Sequence, residues 1–161
     1  MEERIFNTVQ SQLASFFLEL KLNYILKRNT VELNDRIQTR VYKSYSQTWY
    51  NDNLSIDFEF QVIVYIKPEN WRPLISVSIN KWDSYSGELK KYMLVNEYFK
   101  KENIIIPTYE ELEGNEIVEK IISYFSWFKY NIDEKMINII KGTDWVDLIV
   151  DWREKLDNLR E

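Results

Sequence analysis

Two carboxylates on a predicted strand could perform chemistry. Asp57 and Glu59 are two positions apart in a segment of alternating apolar and polar residues, so both side chains project from one face. A pair of carboxylates on one strand can bind a divalent cation or exchange a proton with a substrate. The solvated face of an antiparallel strand is also normally polar, which explains the same two residues without any ligand.

A second candidate for chemistry is the tripeptide Glu88-Leu89-Lys90. Its acid-x-lysine spacing occurs in one large group of metal-dependent nucleases, in which an acid on the preceding strand completes the magnesium site. Asp57 or Asp83 could be that acid. These residues define one alternative function, a nuclease-like enzyme with an oxygen-liganded metal. So short a pattern beside a tight turn arises often by chance, and a lysine there also suits a solvated strand edge.

Aromatic residues are concentrated in the central part of the chain. Exposed aromatic rings stack on nucleic-acid bases or on sugars, so a sheet that carries them could bind single-stranded nucleic acid. Cross-strand aromatic pairs also stabilise sheets without a ligand. The candidate residues are Tyr42, Tyr45, Trp49, Tyr50, Trp71, Trp82 and Tyr85.

The composition excludes several classes of site. The chain has no histidine and no cysteine, which excludes histidine-dependent triads, histidine and thiolate metal sites, cysteine nucleophiles and disulfides. No glycine-rich phosphate loop, nucleophile elbow or dinucleotide fingerprint occurs. We therefore predict no cofactor, no bound metal and no catalytic residues. Because a signal-peptide pattern and a run of about 18 apolar residues are both missing, we expect a cytoplasmic protein that does not cross a membrane.

Charge is distributed unevenly along the chain. Residues 1–101 hold 14 Lys and Arg against 12 Asp and Glu, whereas residues 102–161 hold 7 against 14. The acidic second part repels phosphate backbones, so duplex nucleic acid is a poor partner for it, and it attracts basic proteins. The helix dipole favours acids near a helix start, which explains some of these acids but not their surplus.

The predicted partner-binding residues are acids of this second part and one tryptophan among them. Charge complementarity favours docking of a basic partner there, and tryptophan is enriched at binding hot spots. Trp127 and Trp145 are instead predicted to lie in the core. The predicted partner-binding set is Glu110, Glu111, Glu113, Glu116, Glu119, Asp144, Asp147, Asp151 and Trp152.

The elements that position these residues follow from hydrophobic spacing. We predict a single α+β domain over residues 1–161. It begins with a long N-terminal helix over residues 1–28 and continues as a four-stranded, mainly antiparallel meander sheet over residues 37–99. Acidic C-terminal helices over residues 108–160 are predicted to pack on the sheet.

Local signals mark several boundaries within this layout. The clearest is the alternation of apolar and polar residues over 54–66, which predicts a strand. The turn-forming residues 51–53 and 86–87 predict the connections of neighbouring strands. Asp133 and Gly142 predict the start and the end of a short helix.

Fold and charge together favour a non-enzymatic protein-binding module. The order of helix, antiparallel meander and acidic helices is similar to that of many small bacterial immunity and inhibitor proteins, a likeness of layout and not of motif. We therefore predict an immunity- or inhibitor-type protein that neutralises a basic protein partner, such as a toxin of the nuclease kind. The metal-dependent enzyme and the single-stranded nucleic-acid binder are kept as alternatives, and a homodimer through the sheet stays open.

Overall fold

The computed structural model describes residues 2–36, 40–63, 74–107 and 116–145. These ranges contain four helices and five strands, which confirms the α+β class. None of the helices in them is long and apolar enough to cross a membrane. The helices are α1 (Glu2–Glu19), α2 (Val95–Lys101), α3 (Glu116–Asn131) and α4 (Glu134–Lys141), and the strands are β1 (Ile25–Arg36), β2 (Arg40–Asn51), β3 (Leu54–Ile63), β4 (Leu74–Trp82) and β5 (Leu89–Leu94).

The five strands form one antiparallel sheet in the order β1-β2-β3-β4-β5. Each strand pairs with its neighbours in sequence, which is the topology that short connections favour. The prediction of an antiparallel sheet is confirmed, but it counted four strands and missed β1. The predicted turns contain Asp52 (φ 50°) between β2 and β3 and Gly87 (φ 69°) between β4 and β5.

The N-terminal helix is shorter than its apolar spacing predicts. α1 ends at Glu19 instead of near residue 28, and Lys21 has a left-handed backbone with φ 56°. The Lys21 N–H donates to the Leu18 carbonyl at 3.1 Å. The Leu22 N–H donates to the Phe17 carbonyl at 2.9 Å, so the helix closes through a left-handed residue. Glycine usually marks such an end, and here lysine takes its place before the chain continues into β1.

The last strand is also shorter than predicted. A strand reaching Phe99 is replaced by β5, which ends at Leu94, and by α2, which follows it directly. Val95, Tyr98 and Phe99 are each at most 1 % exposed. Their spacing of three and four buries one face of a helix, whereas in a strand Tyr98 and Phe99 would face opposite sides of the sheet.

One face of the sheet, here called the inner face, forms the core together with the helices. Phe58 of β3 stacks on Phe125 of α3, with ring centroids 5.5 Å apart. Phe17 of α1 contacts Trp49 of β2, with ring centroids 5.3 Å apart. Burial of such large rings is a principal source of stability. The inner side chains of β3 whose burial is described are all buried, as the alternation predicts: Leu54, Ile56, Phe58 and Phe60.

Gln47 is a polar side chain on the inner face of β2, and it is fully buried. Its amide group donates to the Phe6 carbonyl of α1 at 3.3 Å and to Asn29 Oδ1 of β1 at 3.0 Å. Its own side-chain oxygen accepts from the Trp49 indole N–H at 2.9 Å. Gln47 therefore joins α1, β1 and β2, and it holds the edge strand β1 in place.

The predicted caps of α4 are confirmed. Asp133 Oδ1 accepts from the Met136 N–H at 2.7 Å, and Asp133 Oδ2 accepts from the Tyr98 hydroxyl at 2.6 Å. Gly142 ends the helix in the left-handed conformation with φ 74°. α3 and α4 fall within the predicted helical part, while residues 108–115 and 146–160 of that prediction lie outside the described residues.

Lys21→Gly should stabilise the chain, because a left-handed backbone costs a lysine about 1 kcal/mol and costs glycine much less. Gln10→Gly, at an exposed position in the middle of α1, should instead destabilise the chain by about 1 kcal/mol. Urea unfolding followed by circular dichroism measures both changes in the free energy of unfolding. A loss of stability in Lys21→Gly would contradict the described end of α1.

Candidate functional site

The opposite face of the sheet, here called the outer face, carries polar side chains. α1 and α3 contact the inner face through their rings, and α2 and α4 add buried side chains to the same core. The outer face is therefore a surface that no described helix covers. Its side chains on the three central strands include Ser46, Thr48, Ser55, Asp57, Glu59, Ser76, Ser78 and Asn80.

A hydrogen-bond network, here called the outer-face network, joins Thr48, Ser55, Asp57, Asn80 and Trp82. The Asn80 amide donates to Asp57 Oδ2 at 2.6 Å and to Ser55 Oγ at 3.2 Å. The Trp82 indole N–H donates to Ser55 Oγ at 2.9 Å, and the Thr48 hydroxyl bonds to the Asp57 carboxylate. Ser55 and Asn80 are almost completely buried, so neighbouring strands hold the network rigidly.

Burial raises the pKa of the Asp57 carboxyl above its ordinary value. The hydrogen bonds from Thr48 and Asn80 act in the opposite direction, because they stabilise the charged form, while the neighbouring Glu59 raises the pKa further. Arg28 lowers it slightly, but within the described residues Asp57 forms no ion pair. A desolvated carboxylate that has a raised pKa and no ion-pair partner is a candidate for a functional site.

Glu59 extends the acidic character of β3. It projects from the same face as Asp57, as the alternation predicts, and its Oε1 accepts from Gln61 Nε2 at 2.8 Å. Glu59 also forms no ion pair with a described residue. Both charged side chains on the outer face of β3 are therefore carboxylates that lack an ion-pair partner in the described part of the chain.

A cavity of about 650 Å³, here called the end cleft, lies at the end of the sheet that holds the β2–β3 and β4–β5 turns. The Trp82 N–H donates to the Asn53 carbonyl at 2.7 Å, and Asn53 Nδ2 donates to the Trp82 carbonyl at 3.3 Å, so the two turns are held together. Trp82 also belongs to the outer-face network, which makes network and cleft one continuous site. The cleft is lined by Tyr50, Asp52, Asn53, Trp82, Asp83, Ser84 and Gly87.

Asp83 forms one wall of the end cleft and is already neutralised. Its Oδ2 pairs with Lys90 Nζ at 2.6 Å, and its Oδ1 accepts from the N–H groups of Tyr85 and Ser86 at 2.8 and 2.9 Å. The Lys90 contact and then the two backbone N–H groups hold the pKa of the Asp83 carboxyl well below its usual range. Asp83 therefore stabilises the β4–β5 turn.

Asp52 lies on the same cleft but has no such partners. It is exposed at the tip of the β2–β3 turn, where its backbone is left-handed. Its carboxylate forms no ion pair or side-chain hydrogen bond with a residue in the described ranges. A ligand can therefore use this charge without breaking an existing contact.

The metal-dependent alternative lacks a site in the described structure. Lys90 of the acid-x-lysine tripeptide is paired with Asp83, and Glu88 is exposed. Within residues 2–36, 40–63, 74–107 and 116–145, no three His, Cys, Asp or Glu side chains form a group that could hold a metal ion. Asp57 and Glu59 share a face as predicted, but the described chain brings no third ligand to them.

The seven aromatic candidates fall on both faces of the sheet. Tyr45 and Trp49 are buried on the inner face, so they belong to the core. Tyr50 and Trp82 line the end cleft, and Tyr85 is fully exposed on the turn beside it. The candidates whose side chains lie outside the described residues are Tyr42 and Trp71.

Most of the predicted partner-binding set lies outside the described residues. Glu116 and Glu119 are exposed in the first turn of α3. Asp144 is exposed after α4, where its Oδ1 accepts from the Trp145 N–H at 2.7 Å. The members outside the described residues are Glu110, Glu111, Glu113, Asp147, Asp151 and Trp152.

Trp127 and Trp145 pack against the core, as predicted. The Trp127 indole N–H donates to the Ile105 carbonyl at 3.0 Å, and its ring meets Phe99 with centroids 5.0 Å apart. A tryptophan whose N–H is bonded in this way needs no ligand to explain it.

Sequence reasoning missed the end cleft. Its turn residues were recognised as turns, but not as two turns that lie side by side. In an antiparallel meander, alternate turns lie at the same end of the sheet, so the β2–β3 and β4–β5 turns had to meet. Applied to the predicted turns, this rule would have placed Asp52 beside Trp82 and so indicated the position of the end cleft.

In comparisons with known proteins, no family model, no curated protein and no solved structure matches the chain.

Asp57→Asn should raise the free energy of unfolding at neutral pH by about 1 kcal/mol, because it removes a largely desolvated charge. The pKa of Asp57 is higher in the folded chain than in the unfolded chain, so folding favours the protonated form. Its charged form therefore costs stability at neutral pH, and this cost disappears as the pH falls through the raised pKa. The advantage of asparagine should shrink accordingly in acid.

Asp83→Asn is the matched control with the opposite sign. The pKa of Asp83 is lowered in the folded chain, so its charge stabilises the fold above the unfolded pKa and the benefit is lost as the pH falls. Urea unfolding across a pH series compares the two variants. A destabilised Asp57→Asn chain at neutral pH would show that the Asp57 charge is needed for folding, against this account.

Proposed function

We propose that this chain is a cytoplasmic, non-enzymatic binding protein of the immunity or inhibitor kind, which binds a basic protein partner such as a toxin. The observation that carries the proposal is that Asp57 and Glu59, both charged outer side chains of β3, form no ion pair with a described residue, and that Arg28 acts on Asp57 only from beyond ion-pair distance. A cationic partner supplies that ion pair. The binding surface consists of the outer face with the end cleft, continued by the acidic C-terminal part.

The rigidity of the outer-face network supports a role in recognition. Its members are held by several hydrogen bonds across β2, β3 and β4, and Asn80 and Ser55 are almost fully buried. Side chains that are already ordered lose little conformational entropy on binding, which favours affinity. The network therefore holds the Asp57 carboxylate in a fixed orientation before a partner binds.

The charge of the C-terminal part supports the sign of the partner. Residues 102–161 contain 7 Lys and Arg against 14 Asp and Glu, and Glu116 and Glu119 are exposed on α3. An acidic field of this kind accelerates association with a cationic protein and repels nucleic acid. The alternative of a metal-dependent enzyme has less support, because Asp83 and Lys90, two of its candidate residues, already form an ion pair with each other.

Affinity capture from the native host lysate tests the proposal with four forms of the full chain. The outer-face variant replaces Asp57 and Glu59 by Asn and Gln, and the helix variant reverses Glu116 and Glu119 to lysine. The matched control is Glu3→Lys, at an exposed position in the first turn of α1 and outside the acidic C-terminal part. We expect the wild type and the control to retain one basic protein, and the outer-face variant to lose most of it.

Salt dependence and purified components complete this test. The affinity of the isolated pair should fall by at least about tenfold between about 50 and 300 mM salt, because ions screen the opposing charges. Capture by the outer-face variant equal to that of the wild type, or an affinity that ignores salt, would contradict the proposal. Retention of an acidic protein alone would contradict it as well.

A further inference from the structure

We propose that the end cleft binds an arginine side chain, with the guanidinium group against the rings of Tyr50 and Trp82 and paired with the carboxylate of Asp52. This inference rests on the proposed function, because it assigns the anchor that a basic protein partner inserts into the outer face. The lining of the end cleft combines two aromatic rings with two carboxylates, a combination that suits a cationic side chain: Tyr50, Trp82, Asp52 and Asp83.

The size of the end cleft suits a side-chain anchor. Its volume of about 650 Å³ lies within the roughly 300–1,000 Å³ of typical ligand cavities, so an inserted side chain and part of its backbone fit inside. The rim consists of two turns tied by the Asn53 and Trp82 bonds of 2.7 and 3.3 Å. A preformed cavity of this kind needs little rearrangement before it accepts an anchor residue.

The aromatic walls favour a flat cation. The Trp82 indole is fixed by its N–H bond to Ser55 Oγ at 2.9 Å, which holds the ring in place on the outer face. Tyr50 pairs directly with Ser55 across β2 and β3, so its ring lies on the same side of the sheet. Guanidinium groups stack on aromatic rings better than ammonium groups do, and tryptophan is the strongest partner for a cation.

The two carboxylates of the end cleft indicate which charge its ligand carries. Asp83 is neutralised by Lys90 and two backbone N–H groups, whereas the Asp52 carboxylate has no partner in the described ranges. A guanidinium fork can pair with Asp52 through two parallel hydrogen bonds. A nucleotide base would also stack on Tyr50 and Trp82, but the Asp52 charge would repel its phosphate.

Nuclear magnetic resonance of the full, nitrogen-15-labelled chain tests the arginine site directly. The probes are argininamide, lysinamide and citrullinamide, of which the last has the shape of argininamide without its side-chain charge. Trp82→Phe assigns the Trp82 indole signal, and the signals of Trp49 and Trp127 report on the core. We expect argininamide to shift the Trp82 signal saturably, lysinamide to bind less tightly, and citrullinamide to leave the signal unchanged.

Asp52→Asn isolates the carboxylate, because asparagine also tolerates the left-handed backbone at this turn. It should weaken argininamide binding at least about threefold, the range expected for one exposed charge pair, while Glu102→Gln should not change it. Equal shifts with citrullinamide, or unchanged affinity in Asp52→Asn, would overturn the arginine site. A single-stranded oligonucleotide that shifts Trp82 when argininamide does not would overturn it in favour of nucleic acid.

The two proposals can fail separately. If argininamide does not bind but a basic protein is captured, only the arginine anchor is ruled out and the proposed function stands. If argininamide binds but no basic protein is captured, the arginine site stands and the proposed function fails.

Discussion

Burial of one face of the sheet is the constraint on which the rest of the structure depends. An antiparallel sheet is stable in water when its apolar face is covered, and rings from α1 and α3 cover this one through contacts such as Phe17 with Trp49 and Phe58 with Phe125. The described helices share that single core, and the outer face carries mainly polar side chains, with the Tyr50 and Trp82 rings at one end. The inner face thus forms the core, and the outer face is the one to which we assign recognition in the proposed function.

Buried polar groups on the two faces show this division. Gln47 on the inner face has three partners, which satisfy both ends of its amide and tie α1 to β1 and β2. Asp57 on the outer face is hydrogen-bonded by Thr48 and Asn80, and Arg28 also lowers its pKa, but burial outweighs these contributions and Asp57 forms no ion pair with a described residue. The first arrangement stabilises the fold, whereas the second retains a charge at a cost to stability, as binding sites commonly do.

Local patterns predicted the parts of the fold that local physics determines. The alternation of β3, the Asp133 cap and the Gly142 end each depend on a few neighbouring residues, and each is confirmed. β1 was missed because Lys21, not glycine, ends α1, and because this largely polar edge strand is held mainly by its backbone pairing with β2, so its own apolar pattern is weak. The end cleft and the desolvation of Asp57 arise from several strands together, so no single segment indicates them.

Hydroxyl-radical labelling of the full chain, free and bound to the captured basic protein, tests the division between the two faces most directly. Labelling rates of Tyr50 and Trp82 report on the outer face, and those of Tyr24 and Trp49 report on the core. We expect Tyr50 and Trp82 to react readily in the free chain and to become protected in the complex, while Tyr24 and Trp49 react slowly in both. If Tyr50 and Trp82 react as slowly as the core in the free chain, or are not protected in the complex, the outer face is not the recognition surface.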